Sequence, residues 1–185
     1  MGRFFLSVSN AKIMSQELLP IGVKRDGSYY MNIQWVSHTE PDPKFWACNL
    51  LTQDMERNGG TFGCNTFGPA NIVLGFFGEE QTVGRLKVYK NVGATISVIE
   101  ELAAALDIYY CDTDEPAEKL RTFDDKVDSV EWKHIMKAPL KEEFGWEEIV
   151  FDKPVKAKYL RVDLVENRSE TIDWVEISKI LAFEK

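Results

Sequence analysis

The sequence is poor in the residues that most often carry chemistry. Only two of its 185 residues are histidine and only three are cysteine. His38 and His134 lie in no H-E-x-x-H or related metal spacing, and no G-x-S-x-G elbow, Gly-rich phosphate loop or dinucleotide fingerprint is present. Cys48, Cys64 and Cys111 are odd in number, form no C-x-x-C pair and lack zinc-finger spacing. Three free thiols are the simpler reading and a single Cys48–Cys64 disulfide the other. Positive charge is also short: 22 Lys and Arg stand against 30 Asp and Glu, a net charge of −8. The longest basic cluster is the scattered Lys153, Lys156 and Lys158 series, so a phosphate backbone or anionic bilayer is repelled and nucleic acid is excluded as a partner. No apolar run approaches the roughly 20 residues of a membrane span. Phe4-Phe5-Leu6 follows Arg3 but is broken by Ser7, Ser9, Asn10 and Lys12, which is not a signal-peptide core. The expectation is a soluble protein, either cytoplasmic or a leaderless form of a secreted one.

What is abundant is core material. Hydrophobic residues make up 44% and aromatics 12%, and a chain of this size buries about 70% of its extended surface without staples. One domain over 1–185 is expected, with no internal repeat. Leu86 and Val88 alternate with Arg85, Lys87 and Tyr89 within 82–90; Leu160, Val162 and Leu164 alternate with Tyr159, Arg161 and Asp163 within 158–165. Both have the period of two that marks a strand with one buried face. Residues 72–77 form a continuous apolar run suited to a strand covered on both sides. Further strands are expected at 29–36, 106–111, 146–151 and 174–183. Turns are expected at Phe77-Gly78-Glu79, Asn91-Val92-Gly93, 112–116 and Asp152-Lys153-Pro154. Residues 98–106 have the composition of a two-turn helix, and 39–44 form a loop rich in proline and acid. Many short strands with regular punctuation predict an all-β sandwich or jelly roll with short helical insertions.

For chemistry the inventory is thin. His134 reads as a surface-strand histidine, whereas His38 sits in a loop near Trp35, Glu40 and Trp46, where ligand contact is open. Glu79-Glu80, Asp124-Asp125, Glu142-Glu143 and Glu147-Glu148 offer carboxylates of the kind glycoside hydrolysis uses. Neighbours on a strand face opposite ways, so most of these pairs read better as solvated turns. Trp46, Trp132 and Trp146 read as core; Trp35 and Trp174 fit either core or a ligand platform.

The order of several segments is informative. Asn49-Leu50-Leu51, Thr61-Phe62-Gly63, Ala70-Asn71-Ile72-Val73-Leu74-Gly75-Phe76, Thr82-Val83-Gly84-Arg85-Leu86-Lys87-Val88-Tyr89 and Asp107-Ile108-Tyr109-Tyr110 precede Trp132. Phe151-Asp152-Lys153-Pro154-Val155-Lys156-Ala157-Lys158-Tyr159-Leu160-Arg161-Val162 and the closing segment 174–183 follow. This arrangement, over 47–183, resembles the discoidin, or coagulation-factor type C, superfamily of galactose-binding-like jelly rolls, which includes the family 32 carbohydrate-binding modules. Residues 1–46 then form an N-terminal extension and the first strands. The resemblance implies a non-catalytic domain, without a cofactor, that binds a glycan, lipid headgroup or protein through loops at one end of the sandwich.

It also implies a structural calcium, from which this sequence departs. The family's loop places Asp after N-x-hydrophobic, but Thr52 stands there, and the glutamate of its last strand is replaced by Lys179. An ammonium in a calcium cage repels the ion. The expectation is that Lys179 stands in for the metal as a built-in cation, pairing with Asp54 or nearby carbonyls. For ligand contact the resemblance points to loop groups: Trp35 and His38, Arg57 and Asn58, Asn91 after Lys90, and Arg168 and Trp174. Rings stack on the C–H face of a sugar while Arg, Asn and His meet its hydroxyls. Asn167-Arg168-Ser169 is a glycosylation sequon, meaningful only in a eukaryotic secretory route. The expected function is recognition of a neutral carbohydrate, favoured by the net negative charge. A protein-interaction or adhesion domain of the same fold and a hydrolase using loop carboxylates are the alternatives.

Overall fold

The computed structural model describes residues 31–51, 60–66, 69–90 and 99–184, without the side chains of Glu166 and Asn167. Among the described residues ten strands form a sandwich. One sheet has the order β1 (Asn32–Val36), β3 (Ala70–Gly75), β8 (Tyr159–Asn167), β5 (Ala103–Cys111) and β6 (Lys133–Pro139), all antiparallel. Facing it, β10 (Lys179–Phe183), β4 (Gln81–Lys90) and β7 (Gly145–Ala157) form a three-stranded antiparallel sheet. The short pair β2 (Phe62–Asn65) and β9 (Trp174–Ile177) is a third, separate ladder. This is the expected jelly-roll sandwich.

The alternation read from the sequence is the alternation of faces. Leu160, Val162 and Leu164 of β8 meet Leu86 and Val88 of β4 in one core with Ile72, Leu74, Ile108, Ile149, Ile180 and Ala182. β3 is buried on both sides because Val73 faces away from that core into a second cluster with Trp35, Cys111, Leu120, Val127, Val130 and Tyr159. That cluster exists because the long connection from β5 to β6, with helix α1 (Glu115–Lys119), folds back over the outer face of the five-stranded sheet.

Four local expectations are corrected. The predicted helix at 98–106 shrinks to a 3-10 turn, Ile99–Glu101, and Ala103 already begins β5. Its alanines serve the ladder to β8, so tertiary pairing overrides helix propensity. Asp152-Lys153-Pro154 does not end a strand: β7 runs through it, with Val83 opposite Val155 and Arg85 opposite Val150. The turn chemistry surfaces as a bulge, and Pro154 is tolerated because β7 is an edge strand. Segment 174–183 is two strands, broken at Ser178. Glu147 and Glu148 lie in β7 and not in a solvated turn. Glu147 accepts a 2.6 Å hydrogen bond from the buried Lys90, whose Nζ also reaches the Lys141 carbonyl at 2.8 Å, and Glu148 pairs with Arg85.

The turn at Phe77-Gly78 forms as expected, with both residues at positive φ. All three cysteines are free; Cys48 is exposed while Cys64 and Cys111 are buried, and burial pushes the Cys64 thiol up to about 12. Trp146 is a second kind of correction: it is 46% exposed on the outer face of the three-stranded sheet, tilted against Tyr89 at 5.1 Å. Trp132 is half-buried against the second cluster, its Nε1 donating to the Val127 carbonyl. Among the described residues no helix is long and apolar enough to cross a membrane.

Candidate functional site

Among the described residues β1 pairs only with β3, at the sheet edge, and its register slips between Ile33 and Trp35. The bulge turns Trp35 onto the outer face beside Val73 while Val36 joins the main core. Trp35 is therefore on a strand and not in a loop, and at 8% exposure it is mostly buried. Its Nε1 donates to the Thr122 carbonyl at 2.8 Å, which ties β1 to the segment after α1. Between these two pieces of chain opens a cleft of about 850 Å³, within the usual range of small-molecule sites.

One wall follows β1. Ser37 Oγ accepts the Asn71 amide at 2.8 Å and hydrogen-bonds His38 Nδ1 at 2.6 Å, so the imidazole is oriented at the rim. The chain then makes a 3-10 turn, Pro43–Phe45, which starts where the Asp42 side chain accepts the Lys44 amide and proline fills the first helical position. Trp46 ends that turn. Its Nε1 donates to the Glu40 carbonyl at 2.9 Å, and the ring remains 48% exposed against the cleft. Phe45 stands beside it, with Trp174 edge-on behind at 4.8 Å between centroids.

The other wall is 120–124. Asp125 Oδ2 accepts the amides of Arg121 at 2.7 Å and Thr122 at 2.6 Å, and these bonds hold its carboxyl below the usual carboxylate value. That turn sets Arg121, Phe123 and Asp124 at the cleft, with Phe123 strongly exposed. The cleft thus joins exposed rings to a few polar groups: Gln34, His38, Glu40, Arg121 and Asp124. Glu40 also accepts the Asn65 amide at 3.2 Å, which fixes its carboxylate against β2.

Of the residues expected at the site, Trp35 and His38 line this cleft and Trp174 backs its Phe45. Arg168 does not line it. Its Nη2 donates to the Leu140 carbonyl at 2.6 Å and lies 3.5 Å from that of Ala103, so it fastens the ends of β5 and β6. Arg57, Asn58 and Asn91, with Thr52 and Asp54, lie outside the described residues. Trp46 is the main residue that sequence reasoning misplaced, as core. Its position directly after the Pro-rich loop was the available signal, since a loop tryptophan has no sheet face to hide in. Phe123 lies in an acidic stretch without periodicity, and nothing in the sequence separates it from a buried aromatic.

The calcium that the resemblance implies does not fit the described residues. Lys179 is only 2% exposed, and its Nζ donates to the Asn49 carbonyl at 2.7 Å. The strand position expected to supply a carboxylate instead brings a cationic donor to the loop carbonyl. Among the described residues no group of three or more His, Cys, Asp or Glu side chains is arranged to hold a metal.

No family description and no curated protein matches the sequence. The fold, however, is shared with solved structures. The family 32 carbohydrate-binding module of Streptococcus pneumoniae EndoD superposes with a TM-score of 0.60 at 14% identity, over 84% of this chain and 96% of that one. The family 32 module of Clostridium perfringens NanJ, solved with galactose, gives 0.55 at 10% identity over 83% and 93%. A fucolectin from striped bass (Morone saxatilis) serum gives 0.60 at 10% identity over 83% of this chain and 46% of that one. Sandwich topology, strand order and these superpositions agree that the chain shares the jelly-roll sandwich fold of these carbohydrate-binding modules and of the fucolectin.

Proposed function

We propose that this is a non-catalytic domain that binds a neutral carbohydrate in the cleft between 33–47 and 120–124. The observation that carries the reading is Trp46. Its ring is half exposed, its indole N–H is already satisfied by Glu40, and it faces a cleft that also presents His38 and Arg121. A ring held in this way offers a flat apolar face to sugar C–H groups at little entropic cost, while the imidazole and guanidinium provide donors for hydroxyls. Glu40 and Asp124 at the rim, with the chain's net charge of −8, disfavour sulfated, sialylated or uronic sugars. The solved family 32 modules of the same fold, one of them holding galactose, support a binding role without catalysis. The exposed Trp146, tilted against the half-buried Tyr89, favours a second reading, a protein-interaction domain that uses the sheet face.

A glycan array of neutral and anionic oligosaccharides tests both. Neutral sugars bound by the wild type and lost in Trp46→Ala support the cleft. Binding that survives Trp46→Ala but is lost in Trp146→Ala overturns it, as does a preference for anionic glycans.

A further inference from the structure

Among the described residues two lysines are buried almost completely. Lys90 has a carboxylate, Glu147, at 2.6 Å. Lys179 donates to the backbone carbonyl of Asn49 at 2.7 Å. Burying an ammonium is costly unless its donors are used, so such a group persists where it organises something. What it grips here is a small knot. The Asn49 carboxamide donates to the carbonyls of Pro43 at 3.0 Å, Lys44 at 2.8 Å and Thr61 at 3.1 Å. Thr61 in turn donates its amide to the Lys44 carbonyl at 2.8 Å and its hydroxyl to the Ile177 carbonyl at 2.8 Å. Gly60 is at φ +78°, and a Cβ there would lie 2.6 Å from Asn49 Nδ2, so the knot leaves no room even for a methyl group.

The carbonyls of Pro43 and Lys44 belong to the turn that carries Phe45 and Trp46 to the cleft. Lys179 opens β10, opposite Tyr89 of β4, and is therefore anchored in the rigid three-stranded sheet. From this geometry we infer that Lys179 is a positioning residue. It is a fixed internal cation that locks Asn49 and, through Asn49, the aromatic wall of the cleft, so that the wall needs no divalent metal. The inference concerns the wall's organisation and stands whether the cleft's ligand is a glycan or not.

The test uses the full chain, calcium chloride or EDTA as the probes, thermal melting, and acrylamide quenching of tryptophan emission. The wild type is expected to melt at the same temperature, within about 1 °C, in calcium chloride and in EDTA. Lys179→Met, which keeps the length and removes the donor, is expected to melt roughly 5 °C or more lower and to show increased quenching, neither restored by calcium. The quenching increase should vanish when Trp46→Phe is added, which assigns it to the cleft wall and separates positioning from general loosening. Lys179→Arg, which keeps a cationic donor, should stay nearer the wild type in both readouts. A wild-type melting temperature raised several degrees by calcium overturns the inference. So does a Lys179→Met variant that matches the wild type in melting and quenching. If Lys179→Met fails to fold, the wild type's response to calcium and the Lys179→Arg quenching decide the matter by the same criteria.

Discussion

The two outer faces of the sandwich have met opposite fates. The outer face of the five-stranded sheet is covered by the 112–132 excursion, whose Leu120, Val127 and Val130 pack on Trp35, Val73 and Tyr159. Beside that cluster lies a polar network in which Arg161 makes a bidentate pair with Asp163 at 2.7 to 3.0 Å and reaches Asp128 of the excursion at 2.7 Å. Burial pushes the Asp163 carboxyl above its ordinary value despite the guanidinium beside it. Among the described residues the outer face of the three-stranded sheet carries no such cover, and Trp146 and Val150 are exposed there beside the half-buried Tyr89. The lesson is that a recess arises where a second layer stops short of the sheet edge. The cleft is the gap between the excursion and the turn after β1, whereas the bare face offers only a flat platform.

Removing the fastening of the covered face should have the largest effect on the fold. Arg161→Met strands the buried Asp163 carboxyl and frees Asp128, and a cost of about 3 kcal/mol is expected. Urea denaturation checks it; a loss below about 1 kcal/mol would mean that the excursion is held by its apolar cluster alone. Trp46→Ala should leave stability nearly unchanged and weaken binding of a neutral oligosaccharide by about tenfold or more, the worth of one stacked ring plus its area. Titration calorimetry of both proteins reads the ratio.

Acid should loosen the covered side next. The Asp125 carboxyl is held below its ordinary value by the amides of Thr122 and Arg121, so its contribution is present above the ordinary carboxylate value and is lost as pH falls through the lowered one. Tryptophan emission, with Trp35 tied to Thr122, should report a transition there, and Asp125→Asn should flatten it. An unchanged profile in Asp125→Asn would place the acid sensitivity elsewhere. The smallest effect is expected on the bare face. Trp146→Ala should change stability by no more than about 1 kcal/mol and leave glycan affinity as it was. A drop in affinity there would move the site to the open sheet.

Most of the strands were legible because alternation along a strand is a local pattern set by which face meets the core, as in β4 and β8. The jelly roll followed from their number and punctuation. The exceptions have physical causes. Residues 98–106 read as helix because alanine propensity is local, while the ladder that recruits Ala103 to β8 is distant in sequence. Trp46 and Trp146 read as core because composition favours buried tryptophan, yet one caps a turn at a cleft and the other lies on the bare sheet face. His38 and Trp35 were singled out as loop groups, yet only His38 lies in the loop after β1, and Trp35 reaches the cleft from the strand itself. The role of Arg168 was not legible, since only the folded chain shows it spent on the carbonyls of Leu140 and Ala103.

By itself the sequence determined the sandwich, the shortage of catalytic groups and the arrival of a lysine on the last strand, because composition and period are carried residue by residue. Only the tertiary structure decided where that lysine points and which rings line a recess. Those outcomes depend on contacts such as Lys179 to Asn49 and Trp35 to Thr122, each joining residues more than 80 positions apart, and no local pattern encodes them.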